Sequence, residues 1–178
     1  MNVLRSAATG GVVLAGLTGM PVAQAAPAAG SLAEALTGGT VSLEVRYRYE
    51  CVDQDDPASI TDEANAHTVR TALGYRTGVW SGFSVFAQAE DVTELGSEDY
   101  NNTYNGHTRY PVVADPDGTE VNQAYLAWAG LPATTLRYGR QAIKLDNDRW
   151  VGDVGWRQNQ QTFDALYAQN QSLPGLTL

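Results

Sequence analysis

Arginines in strand-like positions are the residues of this sequence that could do chemistry. The candidate pore-lining set is Arg46, Arg48, Arg70, Arg76, Arg137, Arg149, Arg157, Glu44 and Gln88. Arginine keeps its charge at any working pH, and its planar guanidinium presents a fork of donors to carboxylates and phosphates. A ring of such groups in a narrow pore selects anions. The pattern therefore predicts a lining that attracts anionic solutes.

The same arginines have a structural alternative. Arg46 and Arg48 share a strand face with Glu44 and Glu50, so carboxylates of the same or neighbouring strands could pair with them. Fully neutralised arginines would brace a wall without attracting a solute. The sequence alone leaves both alternatives open.

The segment between the fifth and sixth predicted strands raises a second choice. Residues 145–160 contain Arg149 and Arg157. They either fold inward as a constriction or form a loop pinned by their own aspartates. Arg140 shares the phase of the apolar face, where an arginine at the bilayer midplane costs about 2–4 kcal/mol. We therefore expect Arg140 near the outer rim.

Catalytic and metal-binding patterns are not found. His67 and His107 are isolated, and the acidic loops do not complete a calcium-binding EF-hand loop. No nucleophile elbow, phosphate loop or convincing carboxylate pair occurs. We expect no enzyme activity, no cofactor and no metal. The 20 acidic against 11 basic residues, a net charge of -9, disfavour a nucleic-acid partner.

The N-terminal segment has the composition of a secretory signal peptide. A positive residue, Arg5, precedes an apolar stretch and a small-residue cleavage pattern, with cleavage expected after Ala25 or Ala26. The predicted organisation is a signal peptide at 1–25, a lead segment at 26–39 and a barrel segment at 40–178. No stretch approaches the roughly 20 apolar residues of a transmembrane helix.

Period-two alternation predicts the strands. In Val41–Glu50 the odd positions are apolar or aromatic and the even positions are Ser, Glu or Arg, over a length that crosses a bilayer as a tilted strand. One such strand fits a membrane barrel or a soluble sandwich equally well. The predicted strands are Val41–Glu50, Thr68–Thr77, Phe83–Asp91, Val121–Ala129, Thr134–Ile143 and Gln161–Ala168.

The last strands carry two more specific expectations. The sixth strand is predicted with Phe163, Ala165 and Tyr167 facing outward. Residues 176–178 are expected to begin a seventh strand. The chain is therefore interpreted as a piece of a larger barrel.

The connections alternate between long and short without exception. Outer-membrane barrels have short periplasmic turns and long outer loops. This rhythm predicts an all-β, antiparallel up-and-down transmembrane β-barrel, present as an incomplete, unclosed sheet of about six to seven strands. It also predicts that the mature N-terminus lies in the periplasm.

Two stretches carry a family resemblance. Gly139-Arg-Gln-Ala-Ile-Lys continues to Trp156-Arg-Gln-Asn-Gln-Gln-Thr-Phe163, and Asn122-Gln-Ala-Tyr-Leu-Ala-Trp128 precedes Leu136-Arg-Tyr-Gly-Arg-Gln141. The chain resembles the alginate-export-like family of outer-membrane porins over nearly all of its mature length. The resemblance implies a many-stranded monomeric barrel with an arginine-rich constriction, of which this chain supplies part. It does not establish alginate as the solute.

These observations predict a passive channel in the outer membrane of a Gram-negative bacterium. Small hydrophilic solutes, anions among them, would diffuse through an Arg-lined lumen. The expected partners are outer-membrane lipid, the solutes and the barrel assembly machinery during biogenesis. The alternative is a non-conducting binding or adhesion protein, built as an exported β-sandwich or a plugged barrel.

Overall fold

The computed structural model describes residues 27–54, 59–60, 62–145 and 147–173. The predicted signal peptide and seventh strand lie outside these residues. The elements are α1 (Leu32–Thr37), β1 (Thr40–Val52), β2 (Ala64–Arg76), β3 (Phe83–Glu94), β4 (Gly118–Leu131), β5 (Thr134–Gln141) and β6 (Phe163–Asn170).

The six strands form one sheet in chain order, each antiparallel to the next. Within the described residues, β1 and β6 each pair on one side only, so the sheet is unclosed. The predicted all-β, up-and-down, incomplete architecture is confirmed. No helix in the described part of the chain is long and apolar enough to cross a membrane.

The two faces of the sheet differ in chemistry, and the apolar face is the exposed one. Leu43, Leu73 and Leu166 project from it with exposed fractions of 58%, 55% and 71%. The opposite face is charged and covered, with Arg70 and Glu90 only 4% and 1% exposed. A water-soluble sheet covers its apolar face and solvates its polar one. This sheet does the reverse, and we call its two sides the exterior face and the interior face.

The sheet has two different rims. Short turns at residues 77–82 and 132–133 define the short-turn rim, and segments 53–63, 95–117 and 142–162 define the long-loop rim. At the first turn Ser81 and Gly82 both have positive φ, 53° and 84°, which is the backbone that a two-residue hairpin with native twist requires. The alternating connection lengths are as predicted.

Four strands extend further toward the long-loop rim than predicted. β2 begins at Ala64 rather than at residue 68, and its first residues pack against the 95–117 segment. There Ala64, Ala66, Tyr100 and Val113 form a small buried core. The alternation of apolar and polar residues fades in this region because the ends of the strands pack against a loop segment.

The predicted phase of β6 is wrong. Asp164, Leu166 and Ala168 face outward, whereas Tyr167 lies opposite Arg137 on the interior face. The Arg137 guanidinium stacks 4.6 Å from the Tyr167 ring centroid. Tyr167 therefore contacts an interior arginine, and the aliphatic Leu166 occupies the exterior position.

A β-bulge interrupts β4. Gln88 pairs with Gln123 and Ala89 pairs with Val121, which leaves Asn122 without a counterpart on β3. Two successive residues, Asn122 and Gln123, therefore point to the interior face. The bulge absorbs the extra residue. Val121 on one side of it and every second residue on the other side, beginning with Ala124, therefore face outward.

Candidate functional site

The C-terminal half of the 142–162 segment lies on the interior face. Arg46 from β1 donates from Nε to Gln158 Oε1 at 2.9 Å and from Nη1 to the Gly155 carbonyl at 2.8 Å. Its Nη2 also donates to the carbonyl of Arg157. The Arg46 side chain thus donates hydrogen bonds to three residues of this stretch, Gly155, Arg157 and Gln158. We call residues 152–160 the inner segment.

Two glutamines complete the attachment of the inner segment. Gln158 is fully buried, and its Nε2 donates to the carbonyl and the hydroxyl of Thr68 at 3.0 and 2.9 Å. Gln160 accepts from Asn122 Nδ2 at 2.9 Å, and its backbone N–H donates to Glu90 at 3.3 Å. The inner segment is therefore bonded to β1, β2, β3 and β4.

Two arginines in this region are matched by two carboxylates. Arg48 and Arg157 both contact Glu50 Oε2, at 2.5 and 3.1 Å. Asp115, fully buried, lies 3.8 and 3.6 Å from the same two guanidinium groups and accepts the Gln158 backbone N–H at 2.9 Å. The charges of this four-residue group cancel.

Arg70 is also neutralised. It is held by Glu90 at 2.6 Å and by Glu44 at 2.9 Å, and the Arg70–Glu90 pair is almost completely buried. A buried pair of this kind fixes adjacent strands, and each charge depends on the other to offset the loss of hydration. Arg70 therefore braces the wall between β1, β2 and β3.

Arg76 and Arg137 have a different environment. Arg76 donates to the Tyr125 hydroxyl at 2.9 Å and lies 4.7 Å from the Phe86 ring centroid. Arg137 lies between the rings of Tyr125 and Tyr167, at 5.5 and 4.6 Å. Among the described residues no carboxylate forms an ion pair with either arginine. This Arg–aromatic cluster carries two positive charges that cation–π contacts orient without neutralising.

The remaining sequence-predicted residues are divided between the interior and the rim. Gln88 lies on the interior face and accepts from Asn122 and Gln123, each at 3.0 Å. It helps to line a cavity of about 280 Å³ between the sheet and the inner segment, together with Glu44, Arg46 and Arg70. Arg149 is exposed beside Trp150, with 5.9 Å to the ring centroid, and none of its described contacts joins it to the interior cluster.

Sequence reasoning missed the polar residues that attach the inner segment. Gln158, Gln160 and Asp115 lie in connections without periodicity, so no pattern marks them as interior. Asn122 was missed because a bulge reverses the expected phase locally. The Trp156-Arg-Gln-Asn motif of the family resemblance contains Gln158, so this motif could have indicated that Gln158 is important.

Two groups in the long-loop segments have shifted pKa values. Burial, followed by its hydrogen bond to Glu94 at 2.5 Å, raises the pKa of Tyr100. The phenol therefore stays protonated and donates to that carboxylate. The hydrogen bond to Asp148 at 2.7 Å raises the pKa of Lys144, which stays charged. Within the described residues no cluster of three or more His, Cys, Asp or Glu side chains is arranged to hold a metal.

The reversed faces and the inward-folded segment define the class of protein. A sheet that exposes aliphatic residues and covers charged ones is the wall of an outer-membrane β-barrel. The family model described as alginate export matches residues 39–173. The chain therefore belongs to the alginate export family, whose members are outer-membrane channels, and this membership supports an outer-membrane location and a role in transport. Searches of curated proteins and of solved structures gave no significant match.

Proposed function

We propose that the chain forms part of the wall of an outer-membrane channel for passive diffusion of small hydrophilic solutes, anions among them. The observation that carries the proposal is the reversed burial of the sheet. Its aliphatic face suits lipid, and its opposite face presents charged and amide groups toward an aqueous path. Diffusion along such a wall requires no cofactor and no covalent chemistry. The short-turn rim and the N-terminus of the mature chain would lie on the periplasmic side.

The interior arginines contribute unequally to this function. Arg48, Arg70 and Arg157 are paired with carboxylates, and Arg46 is bonded to the inner segment. Arg76 and Arg137 remain as positive charges without a carboxylate partner among the described residues. We therefore assign the attraction of anions chiefly to the Arg–aromatic cluster, and the bracing of the wall to the other arginines.

One observation favours a second candidate, a plugged barrel that binds rather than conducts. The inner segment covers part of the interior face and is fixed by buried hydrogen bonds. If the opposite wall of the barrel lay close to the inner segment, this segment would block the aqueous path. The sandwich form of the alternative receives no support from the described residues, because all six strands belong to one sheet.

Single-channel recording of the full-length protein in planar bilayers tests the proposal. We expect steady conductance steps, with a reversal potential in a salt gradient that indicates preference for anions. Barrel insertion is checked independently by the shift in electrophoretic mobility on heating. A correctly inserted protein that carries no current would reject the channel and leave the plugged barrel.

A further inference from the structure

The lead segment before β1 is attached to the short-turn rim. The backbone N–H of Ala29 donates to Val79 and that of Val79 donates to Pro27, both at 2.8 Å, so this stretch lies beside the β2–β3 turn. The helix α1 follows, and its Ala35 carbonyl accepts the Gly78 N–H at 2.8 Å. The middle of α1 therefore lies against the turn between β2 and β3.

The end of α1 returns to the first strand. The Tyr75 hydroxyl, which belongs to the exterior phase of β2, donates to the Leu36 carbonyl at 2.7 Å and accepts the Gly39 N–H at 3.1 Å. Thr40 then begins β1. The last turn of α1 therefore lies beside the end of β2, where β1 begins.

The helical repeat determines which side chains of α1 lie on the same flank of the helix. Ala35 is buried against the rim at 2% exposure, whereas Leu32 and Leu36, one turn apart, are 52% and 54% exposed. At 100° per residue both leucines lie on one flank of the helix, and the Leu36 carbonyl is bonded to Tyr75, a residue of the exterior phase of β2. Glu34 lies on the opposite flank, and its carboxylate caps the Gly30 N–H at 2.9 Å.

The exposed leucines lie at the same rim as an aromatic girdle. Trp80 and Phe83 form a backbone bridge at the turn and are 40% and 43% exposed. The Phe83 ring packs against Trp128 in a tilted arrangement, with 6.2 Å between the ring centroids. Girdles of this kind lie at the interface between headgroups and acyl chains. We propose that α1 is an interfacial anchor whose Leu32 and Leu36 insert into the phospholipid leaflet at the short-turn rim. The occupant is lipid because this surface continues the lipid-facing side of the sheet.

Spin labelling of the full-length protein in phospholipid vesicles tests the anchor. In a Cys51→Ser background, single variants Leu36→Cys and Leu32→Cys carry a nitroxide. Collisions with oxygen, which concentrates in the bilayer, are compared with collisions with a water-soluble nickel complex. Leu43→Cys on the exterior face is the lipid standard, and Tyr104→Cys in a long-loop segment is the aqueous standard.

We expect the oxygen-to-nickel collision ratio at positions 32 and 36 to exceed the aqueous standard several-fold and to fall below the lipid standard. Thr37→Cys, on the flank of α1 that faces away from the sheet, is the matched control and should resemble the aqueous standard. Equal ratios at positions 36 and 37 would overturn the anchor. Spin–spin broadening with low access to both reagents would also overturn it, in favour of contact with a second copy. An aqueous reading at position 43 would reject the membrane placement and the anchor with it.

Discussion

At the scale of single residues, the interior arginines differ by partner rather than by position. Arg48 and Arg157 share two carboxylates, whereas Arg76 and Arg137 rest on aromatic rings. The alternation of the sequence was sufficient to predict which arginines share a strand face. It also indicated Glu44 and Glu50 as possible partners, but it could not reveal Asp115 or the aromatic rings, because these come from distant parts of the chain.

Replacing the two arginines of the Arg–aromatic cluster should weaken anion preference. In the double variant Arg76→Gln/Arg137→Gln, two charges without carboxylate partners are lost. A unit charge about 4 Å from a solute ion contributes on the order of 1 kcal/mol in water, or about fivefold in occupancy. The anion-to-cation permeability ratio, taken from reversal potentials, should fall several-fold.

The matched control for this experiment is Arg48→Gln. Its charge is already offset by Glu50 and Asp115. Its removal should shift selectivity toward cations less than the double variant does. A larger shift in the control would mean that the ion-paired group, and not the Arg–aromatic cluster, sets the selectivity.

At the scale of elements, five strand phases were predictable and one was not. Strands β1 to β5 alternate clearly between aliphatic and polar residues, so sequence assigns their faces. In β6 apolar residues occupy both phases, aromatic ones in one and aliphatic Leu166 in the other, and the pairing of Arg137 with Tyr167 decides between them. The inward course of residues 152–160 was one of two alternatives, because its hydrogen bonds join residues that are far apart in sequence.

Releasing the inner segment should increase conductance. Gln158→Ala removes the bonds to Thr68 and the acceptor for Arg46 Nε. At about 0.5–1.5 kcal/mol for each of these three hydrogen bonds, the attachment weakens by about 1.5–4.5 kcal/mol. We expect larger or noisier single-channel currents and faster cleavage of the segment by added protease.

Arg149→Gln serves as the control in the same segment. Its side chain is exposed and lies outside the interior cluster. Currents and cleavage should match those of the unaltered protein. If Gln158→Ala also left both unchanged, the inner segment would not limit the path.

β5 requires a glycine at position 139, and a substitution can test this requirement. Its φ is 125°, and a Cβ there would lie 2.4 Å from the Ala124 carbonyl oxygen and 3.3 Å from the Tyr125 Cβ. Gly139→Ala should therefore lower the urea midpoint of the inserted protein and disturb the Arg–aromatic cluster. Gly96→Ala, also at positive φ (88°) but with nothing within 4 Å of its Cβ, carries only the backbone strain of about 1–2 kcal/mol. Equal losses in the two variants would mean that the close approach to β4 is unimportant.

At the scale of the whole molecule, the open edges of the sheet set the remaining requirement. β1 and β6 each leave a row of backbone groups without partners within the described strands. A bilayer does not tolerate such edges, because no water reaches them to replace the missing hydrogen bonds. The single-sheet architecture and its two open edges were predictable from the rhythm of the connections.

Hydrogen exchange in the full-length, membrane-inserted protein measures whether these edges are paired. We expect amides across β1 and β6 to exchange as slowly as those of β3, which has a neighbour on each side. Rapid exchange at every second residue of β1 would indicate an open edge. The interior β3 strand provides the internal reference in the same sample.

Within the stretch Gly118–Trp128, the bulge at Asn122 leaves one place where β4 can change length and keep its alternation of faces. Deleting Asn122 would convert the bulge into regular pairing, with Val121 and Ala124 still on the exterior face. Deleting a residue in the regular part of the strand, such as Ala127, would exchange lipid-facing and water-facing side chains from there to the end. Over evolutionary time, deletions in this stretch should therefore fall at residue 122, with loss of the bond to Gln160, and the regularly paired residues 123–128 should keep a constant length.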